Sequence, residues 1–321
     1  MSAAFLSLSG RVRGLSFLLI VLLSAPAWGQ NPLSAVNAGA SAVASEIEKD
    51  IVYSHAGGQT LTLDVLRPMA GKRAQPAVVY FHGGGWQAGA KWHGHEWIKR
   101  FARQGYVGVT VGYRFAPQFK WPSQVEDAKA AIRFLRAHAA AYQIDPDRIA
   151  VVGESAGGYL ALMLGVTSTQ DGFDQTGENR DVSSRVRAVA SYSSATDFTA
   201  LRRPGAPRDP QVDADMLRYY GKTGEQVVKD FTGAEGPDDP ILKRISVLTY
   251  VSSDDAPTLI VQGDADPIVE VAHASALAEA FKKAGVPHRL YLVPGGGHGW
   301  KGTQRQETDR VLDVFLAEQF R

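Results

Sequence analysis

The sequence predicts an α/β fold built on a mostly parallel, eight-stranded sheet with helices on both faces. One observation is that short apolar runs, typical of buried strands, alternate with helical stretches along most of the chain. A second is that the first two apolar runs flank Gly57 and Gly58, a pair typical of a hairpin turn. Strands that alternate with helices usually lie parallel, because each helix supplies the crossover.

The elements follow from these patterns in chain order. The hairpin should comprise residues 51–53 and 60–66, on either side of the two glycines. The remaining strands are the apolar runs at 77–82, 107–113, 148–153, 186–191, 257–262 and 288–293. The helices are predicted at 93–104, 123–142, 156–166, 270–284 and 304–320. Residues 197–250 break the alternation after the sixth strand and are predicted to form a small insertion.

The N-terminal residues 1–29 are typical of a secretory signal peptide. Two arginines precede an apolar core at 15–23, and small residues suited to cleavage follow at 25–29. This core is too short to span a bilayer, which needs about twenty apolar residues. We therefore expect export to the periplasm or the medium, a flexible leader at 30–46 rich in Ala and Ser, and one folded domain over 47–321.

Composition excludes several classes of function. The chain of 321 residues is 45% hydrophobic and 21% charged, which is ordinary for a globular protein with a sizeable core. It contains no cysteine, so disulfides, a thiol nucleophile and cysteine-based metal sites are excluded. The formal net charge is +1, and no basic patch argues for nucleic acid. No second long apolar run argues for a membrane span.

Residues 153–157 have the pattern Gly-x-Ser-x-Gly, with Ser155 at the centre. An apolar strand-like run precedes the pattern and a helix-forming run follows it. A strand, a sharp turn and a helix are what a nucleophile elbow requires, and small residues on either side let neighbouring backbone pass closely. We therefore predict that Ser155 is a catalytic nucleophile.

Residues 82–86, His-Gly-Gly-Gly-Trp, follow the strand predicted at 77–82. Attack on an ester carbonyl develops negative charge on its oxygen, and preset backbone N–H donors stabilise that charge. We expect the donors of this oxyanion hole to be Gly83, Gly84 and Ala156. His82 is predicted to brace the loop.

The base and the acid are predicted on two loops near the C-terminus. His298 follows the last predicted strand on a glycine-rich loop, and its ordinary pKa suits proton transfer at neutral pH. Asp264 and Asp266 lie on the loop after the preceding strand, and either could hold the histidine. We prefer Asp266 and expect Asp264 to order the turn. Serine, aspartate and histidine then follow the chain order of α/β-hydrolases.

The chain resembles the hormone-sensitive-lipase-like α/β-hydrolases, and more closely the compact bacterial carboxylesterases of the acetyl- or feruloyl-esterase type. The resemblance lies in residues 82–86, in 113–117 followed by Trp-Pro, in 153–158 and in the closing segment through Asp266 to His298. It implies an α/β-hydrolase fold with a Ser155, Asp266 and His298 triad. One departure is Gln262, where the family commonly has histidine.

The insertion is predicted to pack over the site and to form part of a substrate pocket. Aromatic residues that could line such a pocket are Trp86, Trp300, Tyr219, Tyr220 and Phe231. Two histidines and a glutamate at 93, 95 and 96 lack His-Glu-x-x-His spacing, and we predict no metal.

These observations favour a serine carboxylester hydrolase that works through an acyl-enzyme and needs no cofactor. The expected substrates are short-acyl esters, either small molecules or acetyl and feruloyl esters linked to plant polysaccharide. A serine peptidase or amidase with the same site is the alternative hypothesis. A third hypothesis is a binding module on a hydrolase scaffold. The sequence leaves the oligomeric state open.

Overall fold

In the computed structural model, residues 46–69, 73–200 and 210–321 are described. The predicted signal peptide and nearly all of the predicted leader lie outside them. The strands are β1 (Glu48–Ala56), β2 (Gln59–Leu66), β3 (Gln75–Phe81), β4 (Val107–Val111), β5 (Ile144–Glu154), β6 (Ala188–Tyr192), β7 (Thr258–Gly263) and β8 (His288–Val293). They form one sheet in the order β1-β2-β4-β3-β5-β6-β7-β8.

The sheet is antiparallel at one end and parallel elsewhere. β1 pairs with β2 and β2 pairs with β4 in antiparallel register, whereas every pair from β4 through β3 to β8 is parallel. The predicted hairpin and the predicted mostly parallel eight-stranded sheet are confirmed. Because the carboxyl ends of parallel strands meet at one edge, the loops after β3, β5 and β7 are brought together there.

The helices are α1 (His95–Arg103), α2 (Ser123–Ala137), α3 (Ala139–Tyr142), α4 (Ala156–Val166), α5 (Pro210–Tyr220), α6 (Gly224–Thr232), α7 (Ile241–Ile245), α8 (Val271–Ala284) and α9 (Gly302–Gln319). Alternate residues of a strand face opposite layers: Val79 belongs to the core cluster that contains α2, α4 and α8, whereas Val78 belongs to the cluster that contains α1 and α9. This alternation places helices on both faces.

Several predicted boundaries were wrong, and two of these differences have a clear structural cause. The helix predicted at 123–142 is divided at His138, whose backbone (φ −106°, ψ 20°) leaves the helical range. β5 begins at Ile144, several residues before the predicted start, because Ile144 pairs with Gln75 across an irregularity in the register. No helix in the described ranges is long and apolar enough to cross a membrane.

The insertion between β6 and β7 contains α5, α6 and α7. Phe231 and Val228 of α6 and Ile245 of α7 are fully buried and join the same cluster as α4. The described part of the insertion is therefore packed into the core. Residues 201–209, at its beginning, lie outside the described ranges.

Candidate active site

Ser155 occupies the turn between β5 and α4, at the carboxyl edge of the sheet. Its backbone has φ 53° and ψ −119°, a conformation that is strained for a residue with a side chain. The Ser155 N–H donates to the carbonyl of Tyr192 on the neighbouring strand over 2.7 Å, which holds the turn. The local structure is that of the predicted nucleophile elbow.

Two glycines allow this turn to pack against its neighbours. A Cβ atom on Gly153 would lie 2.2 Å from the carbonyl oxygen of Gly157, and one on Gly157 would lie 2.1 Å from that of Phe81. Neither distance is possible for real atoms, so any larger residue would push α4 away from the sheet. The pattern around Ser155 is thus required by close backbone approach.

His298 lies between Ser155 and Asp266. Its Nε2 atom is 3.0 Å from Ser155 Oγ, and its Nδ1 atom is 2.9 Å from Asp266 Oδ2 and 3.1 Å from Oδ1. With the ring proton on Nδ1 donated to Asp266, Nε2 is free to accept from the Ser155 hydroxyl. The structure brings the three predicted residues together in the geometry that an activated serine requires.

The carboxylate of Asp266 is buried and held by several donors. The backbone N–H groups of Ile268 and Val269 donate to Oδ1 over 2.8 and 3.0 Å. Burial alone would raise the pKa of Asp266, but the hydrogen bond and charge of His298 and the two backbone donors outweigh burial and lower the pKa below its ordinary value. Asp266 therefore stays ionised at neutral pH and can stabilise a protonated His298.

Asp264 is not hydrogen-bonded to His298. Its Oδ1 atom accepts from the N–H of Gly295 over 2.7 Å. Gly295 belongs to the loop after β8, which carries His298. Asp264 belongs to the loop after β7 (residues 264–270, here called the acid loop), which carries Asp266. The hydrogen bond therefore joins these two loops. The expectation that Asp264 orders its own turn is corrected in this respect: the N–H group that it holds belongs to the next loop.

The loop after β3 places two further groups beside Ser155. A Cβ atom on Gly83 would lie 3.3 Å from Ser155 Cβ. Within the described ranges, the N–H groups of Gly83 and Gly84 form no hydrogen bond with protein, and neither does that of Ala156 at the start of α4. These are the three donors predicted for an oxyanion hole. Gly84 has φ 122°, which favours glycine strongly.

His82 braces this loop from behind. Its Nδ1–H donates to the carbonyl of Gly83 over 2.8 Å, and its ring stacks on Tyr113 with centroids 4.5 Å apart. The Tyr113 hydroxyl in turn donates to the carbonyl of His82 over 2.8 Å. Burial lowers the pKa of His82 to about 4, so the ring is neutral at neutral pH.

A small apolar cavity opens beside Ser155. About 330 Å³ of empty space lies within this cavity and in the open solvent at its mouth. The loop after β3, the turn at Ser155, the loop after β6, the insertion and the acid loop all contribute to it. The lining residues are Gly85, Trp86, Ser155, Ala156, Ala195, Met216, Val227, Ile268 and Val269. Of the aromatic residues predicted for a pocket, Trp86 is among them.

The other predicted pocket residues have different places. Phe231 is fully buried and lies behind Trp86, against which it stacks. The prediction for Trp300 is corrected: its indole N–H donates to Thr308 over 2.8 Å, and it packs with the cluster beneath α9, away from the cavity. Tyr219 and Tyr220 are on α5, and their side chains lie outside the described part of the chain.

The sequence did not predict five of the residues that line the cavity. They are Ala195, Met216, Val227, Ile268 and Val269. No motif marks an apolar residue as pocket rather than core, because both environments demand the same side chains. The helical pattern of 213–220, read together with the position of Ile268 and Val269 just after Asp266, was the available signal.

The histidine-rich segment at 91–96 has structural contacts. His95 Nε2 lies 2.8 Å from the buried carboxylate of Asp64, and the backbone N–H of Ala90 donates to His93 Nδ1 over 3.3 Å. Glu96 pairs with Lys99 over 2.7 Å. In the part of the chain that the structure describes, no group of three His, Asp or Glu residues is arranged to hold a metal ion.

Comparison with known proteins agrees with this geometry. The family model of BD-FAE matches residues 63–281. Esterase LipQ of Mycobacterium tuberculosis is 27% identical over 256 residues, and the match covers 78% of this chain and 56% of LipQ. Ethyl acetate hydrolase of Pseudomonas putida is 30% identical over 277 residues, covering 83% of this chain and 80% of the hydrolase. This chain thus spans little more than half the length of LipQ.

One solved structure is similar to this chain over nearly the whole length of the solved chain. The truncated form of a carbohydrate esterase from gut microbiota superimposes with a TM-score of 0.72 and 29% identity. The superposition covers 86% of this chain and 96% of that one.

Proposed function

This chain belongs to the BD-FAE family of α/β-hydrolases, and on that premise we propose that it is a serine carboxylester hydrolase acting on short-acyl esters. The observation that carries the proposal is the 3.0 Å contact between Ser155 Oγ and His298 Nε2, with Asp266 on the far side of the ring. The esterase names of the relatives support the same reaction class.

The proposed reaction has two halves. His298 Nε2 takes the proton of Ser155 as its oxygen attacks the ester carbonyl, and Asp266 stabilises the resulting imidazolium. The N–H groups of Gly83, Gly84 and Ala156 stabilise the charge on the carbonyl oxygen. His298 then protonates the leaving alcohol, and water, activated in the same way, hydrolyses the acyl-enzyme.

The cavity supports a short acyl group. Its walls are apolar, and Trp86, backed by Phe231, closes one side. An acetyl group needs little space and no polar partner beyond the oxyanion hole, so we propose acetyl esters as the first substrates to test. The carbohydrate-esterase neighbour supports a sugar-linked alcohol, and feruloyl esters are the second arm of the test.

The experiment compares wild type, Ser155→Ala and Ser275→Ala on p-nitrophenyl acetate, butyrate, octanoate and palmitate. Ser275 is exposed, away from the cavity, and controls for the loss of a hydroxyl. We expect fast turnover of the short esters, abolished only by Ser155→Ala. Acetylated xylan and feruloylated sugars then identify the acyl group.

Other results would overturn the proposal. Turnover of peptide anilides in preference to esters would indicate the peptidase or amidase. A folded wild type that hydrolyses neither and resists a fluorophosphonate probe would indicate a binding module.

We also propose that the protein is exported, on the strength of the N-terminal pattern of charge, apolar core and small residues. N-terminal sequencing of the protein from a bacterial host tests this. A mature terminus following residues 25–29 is expected, and an intact Met1 in the cytosolic fraction alone would contradict it.

A further inference from the structure

Gln262, the family departure noted above, lies at the end of β7 and is almost completely buried, with 1% of its surface exposed. Its Nε2 atom is 3.0 Å from Asp266 Oδ2, 2.9 Å from the carbonyl of Val269 and 3.2 Å from that of Gly263. All three partners are acceptors only, so the end of the amide that faces them must be the NH₂ group.

The two oxygens of the Asp266 carboxylate are fixed in different ways. Oδ1 accepts from the backbone N–H groups of Ile268 and Val269, which any residue except proline would provide at these positions. Oδ2, which is the nearer oxygen to His298 Nδ1, accepts from the side chain of Gln262. The rotation of the carboxylate about its Cβ–Cγ bond is therefore determined in part by one buried amide.

We propose that Gln262 is a positioning residue for the ester hydrolysis proposed above, on which this inference rests. By donating to Oδ2, Gln262 holds the carboxylate in the orientation in which Oδ2 can accept from the Nδ1–H of His298. By donating to the carbonyl of Val269, it also fixes one of the residues that line the cavity beside Ser155. One side chain, Gln262, thus holds both the carboxylate of Asp266 and one wall of the cavity.

A neutral donor has a specific electrostatic effect here. The titratable side chains around the acid loop are Asp264, Glu270, His273 and His298, and of these four His298 hydrogen-bonds to Asp266. Gln262 disperses part of the negative charge on Oδ2 without adding a charge of its own. Without this donor, the negative charge on Oδ2 would be less dispersed, and the carboxylate would attract a protonated imidazole more strongly.

The test uses Gln262→Leu, Gln262→His and the control Gln124→Leu. Gln124 is also fully buried and also donates to a backbone carbonyl, that of Phe119 over 2.6 Å, but it lies on α2 and touches no proposed catalytic residue. Rates are divided by the fraction of Ser155 that a fluorophosphonate labels at completion, so that unfolded protein is not counted. The second readout is the rate of that labelling.

For Gln262→Leu we expect kcat per labelled serine to fall ~10-fold, the loss of one hydrogen bond to a charged group, with KM within about twofold. The acid limb of kcat/KM should move to higher pH, and labelling should slow by a similar factor. Gln262→His, which can still donate, should recover most of the rate at neutral pH. Gln124→Leu should lower thermal stability and leave kcat per labelled serine, KM, the acid limb and the labelling rate unchanged.

A folded Gln262→Leu with wild-type kcat per labelled serine and an unmoved acid limb would overturn the proposal. So would a loss that Gln262→His fails to recover while remaining folded. Failure of the proposed function is seen separately in the wild type, which would then hydrolyse no ester. If the wild type hydrolyses no ester but is still labelled, the labelling rates of the variants test the role of Gln262. A wild type that also resists labelling would overturn both the proposed function and the role of Gln262.

Discussion

Trp86 and Phe231 stack face to face, with ring centroids 4.0 Å apart and planes inclined by 9°. Trp86 lies on the loop that follows β3 and lines the cavity beside Ser155, whereas Phe231 belongs to the insertion. The backbone carbonyl of Phe231 also accepts from the N–H of Trp121 over 2.8 Å. The insertion is thus joined to the loop of the proposed oxyanion hole by a buried aromatic contact, and changes in it should alter substrate choice.

Met216→Ala should broaden acyl preference. Met216 lines the cavity and is almost fully buried, so its truncation adds space next to Ser155 without touching the proposed triad. We expect the ratio of kcat/KM for octanoate over acetate to rise about tenfold, because the added space should accept about two further methylenes, each worth about 0.8 kcal/mol. The measurement is kcat/KM on p-nitrophenyl esters of increasing chain length.

Leu217→Ala is the matched control for this change. Leu217 is the next residue on α5 but is 50% exposed and does not line the cavity. Its truncation should leave the chain-length profile unchanged. Equal profiles for both variants would show that the cavity does not receive the acyl group.

Gly84→Ala should impair the chemical step. A Cβ atom at this position would lie 2.1 Å from the carbonyl oxygen of Ala88, and φ 122° is strained for alanine. The loop must shift, which displaces the Gly83 and Gly84 donors from the developing oxyanion. We expect kcat to fall ~10²–10³-fold, the usual cost of one lost oxyanion donor, with a smaller change in KM.

The control is Gly58→Ala, in the hairpin turn. Gly58 also has a positive φ, 76°, but a Cβ atom there meets nothing within 4 Å. Gly58→Ala should cost about 1 kcal/mol of stability and leave kcat unchanged. If Gly84→Ala retained wild-type kcat while folded, the loop after β3 would not supply the oxyanion hole.

The sequence predicted the sheet and the positions of the proposed triad well, because both depend on local patterns. Glycine is required at positions 153 and 157 because an added Cβ atom would lie only 2.2 and 2.1 Å from a neighbouring carbonyl oxygen, and this requirement is visible in the sequence as the two glycines around Ser155. Ser155 and His298 likewise follow strands whose apolar runs are unmistakable.

The cavity could not be predicted in the same way. Trp86 and Trp300 look equivalent in sequence, since each follows a glycine-rich loop beside a proposed site residue. Trp300 is instead held by its hydrogen bond to Thr308, a contact that depends on how α9 packs on the sheet. Met216 and Val227 reach the site only because the insertion folds back over it, a tertiary arrangement that local pattern does not encode.

Asp174→Asn should be among the most destabilising polar substitutions in the chain. Asp174 Oδ2 accepts from Lys129 Nζ over 3.1 Å and Oδ1 accepts from Arg133 Nη1 over 2.6 Å, and both cations are fully buried. Among the described residues Asp174 is the carboxylate that pairs with both cations, so neutralising it removes the counter-ion that they share. We expect a loss of about 3–5 kcal/mol in the free energy of unfolding, measured in urea at pH 7.

Asp254→Asn removes an ion pair of similar length at the surface. Asp254 accepts from Arg185 over 2.9 Å, but both side chains are largely exposed. The expected loss is below about 1 kcal/mol. Equal losses for the two variants would mean that the contacts of Asp174 are not sheltered from solvent.

His82 should make the fold sensitive to mild acid. Its pKa is lowered to about 4 by burial, whereas in the unfolded chain it is near its ordinary value of 6.5. As the pH falls from about 6.5 towards 4, His82 becomes protonated in the unfolded chain but stays neutral in the folded protein. The free energy of unfolding therefore decreases over this pH range. A difference of this size corresponds to about 3 kcal/mol once the pH is below both values.

His82→Asn tests this assignment. Asparagine can place its amide N–H where Nδ1 donates to the carbonyl of Gly83, yet it does not titrate. The variant should be less stable than wild type at pH 7, because the stacking on Tyr113 is lost, but its unfolding free energy should decline less between pH 7 and pH 5. Parallel stability curves for wild type and His82→Asn would rule out His82 as the group that titrates.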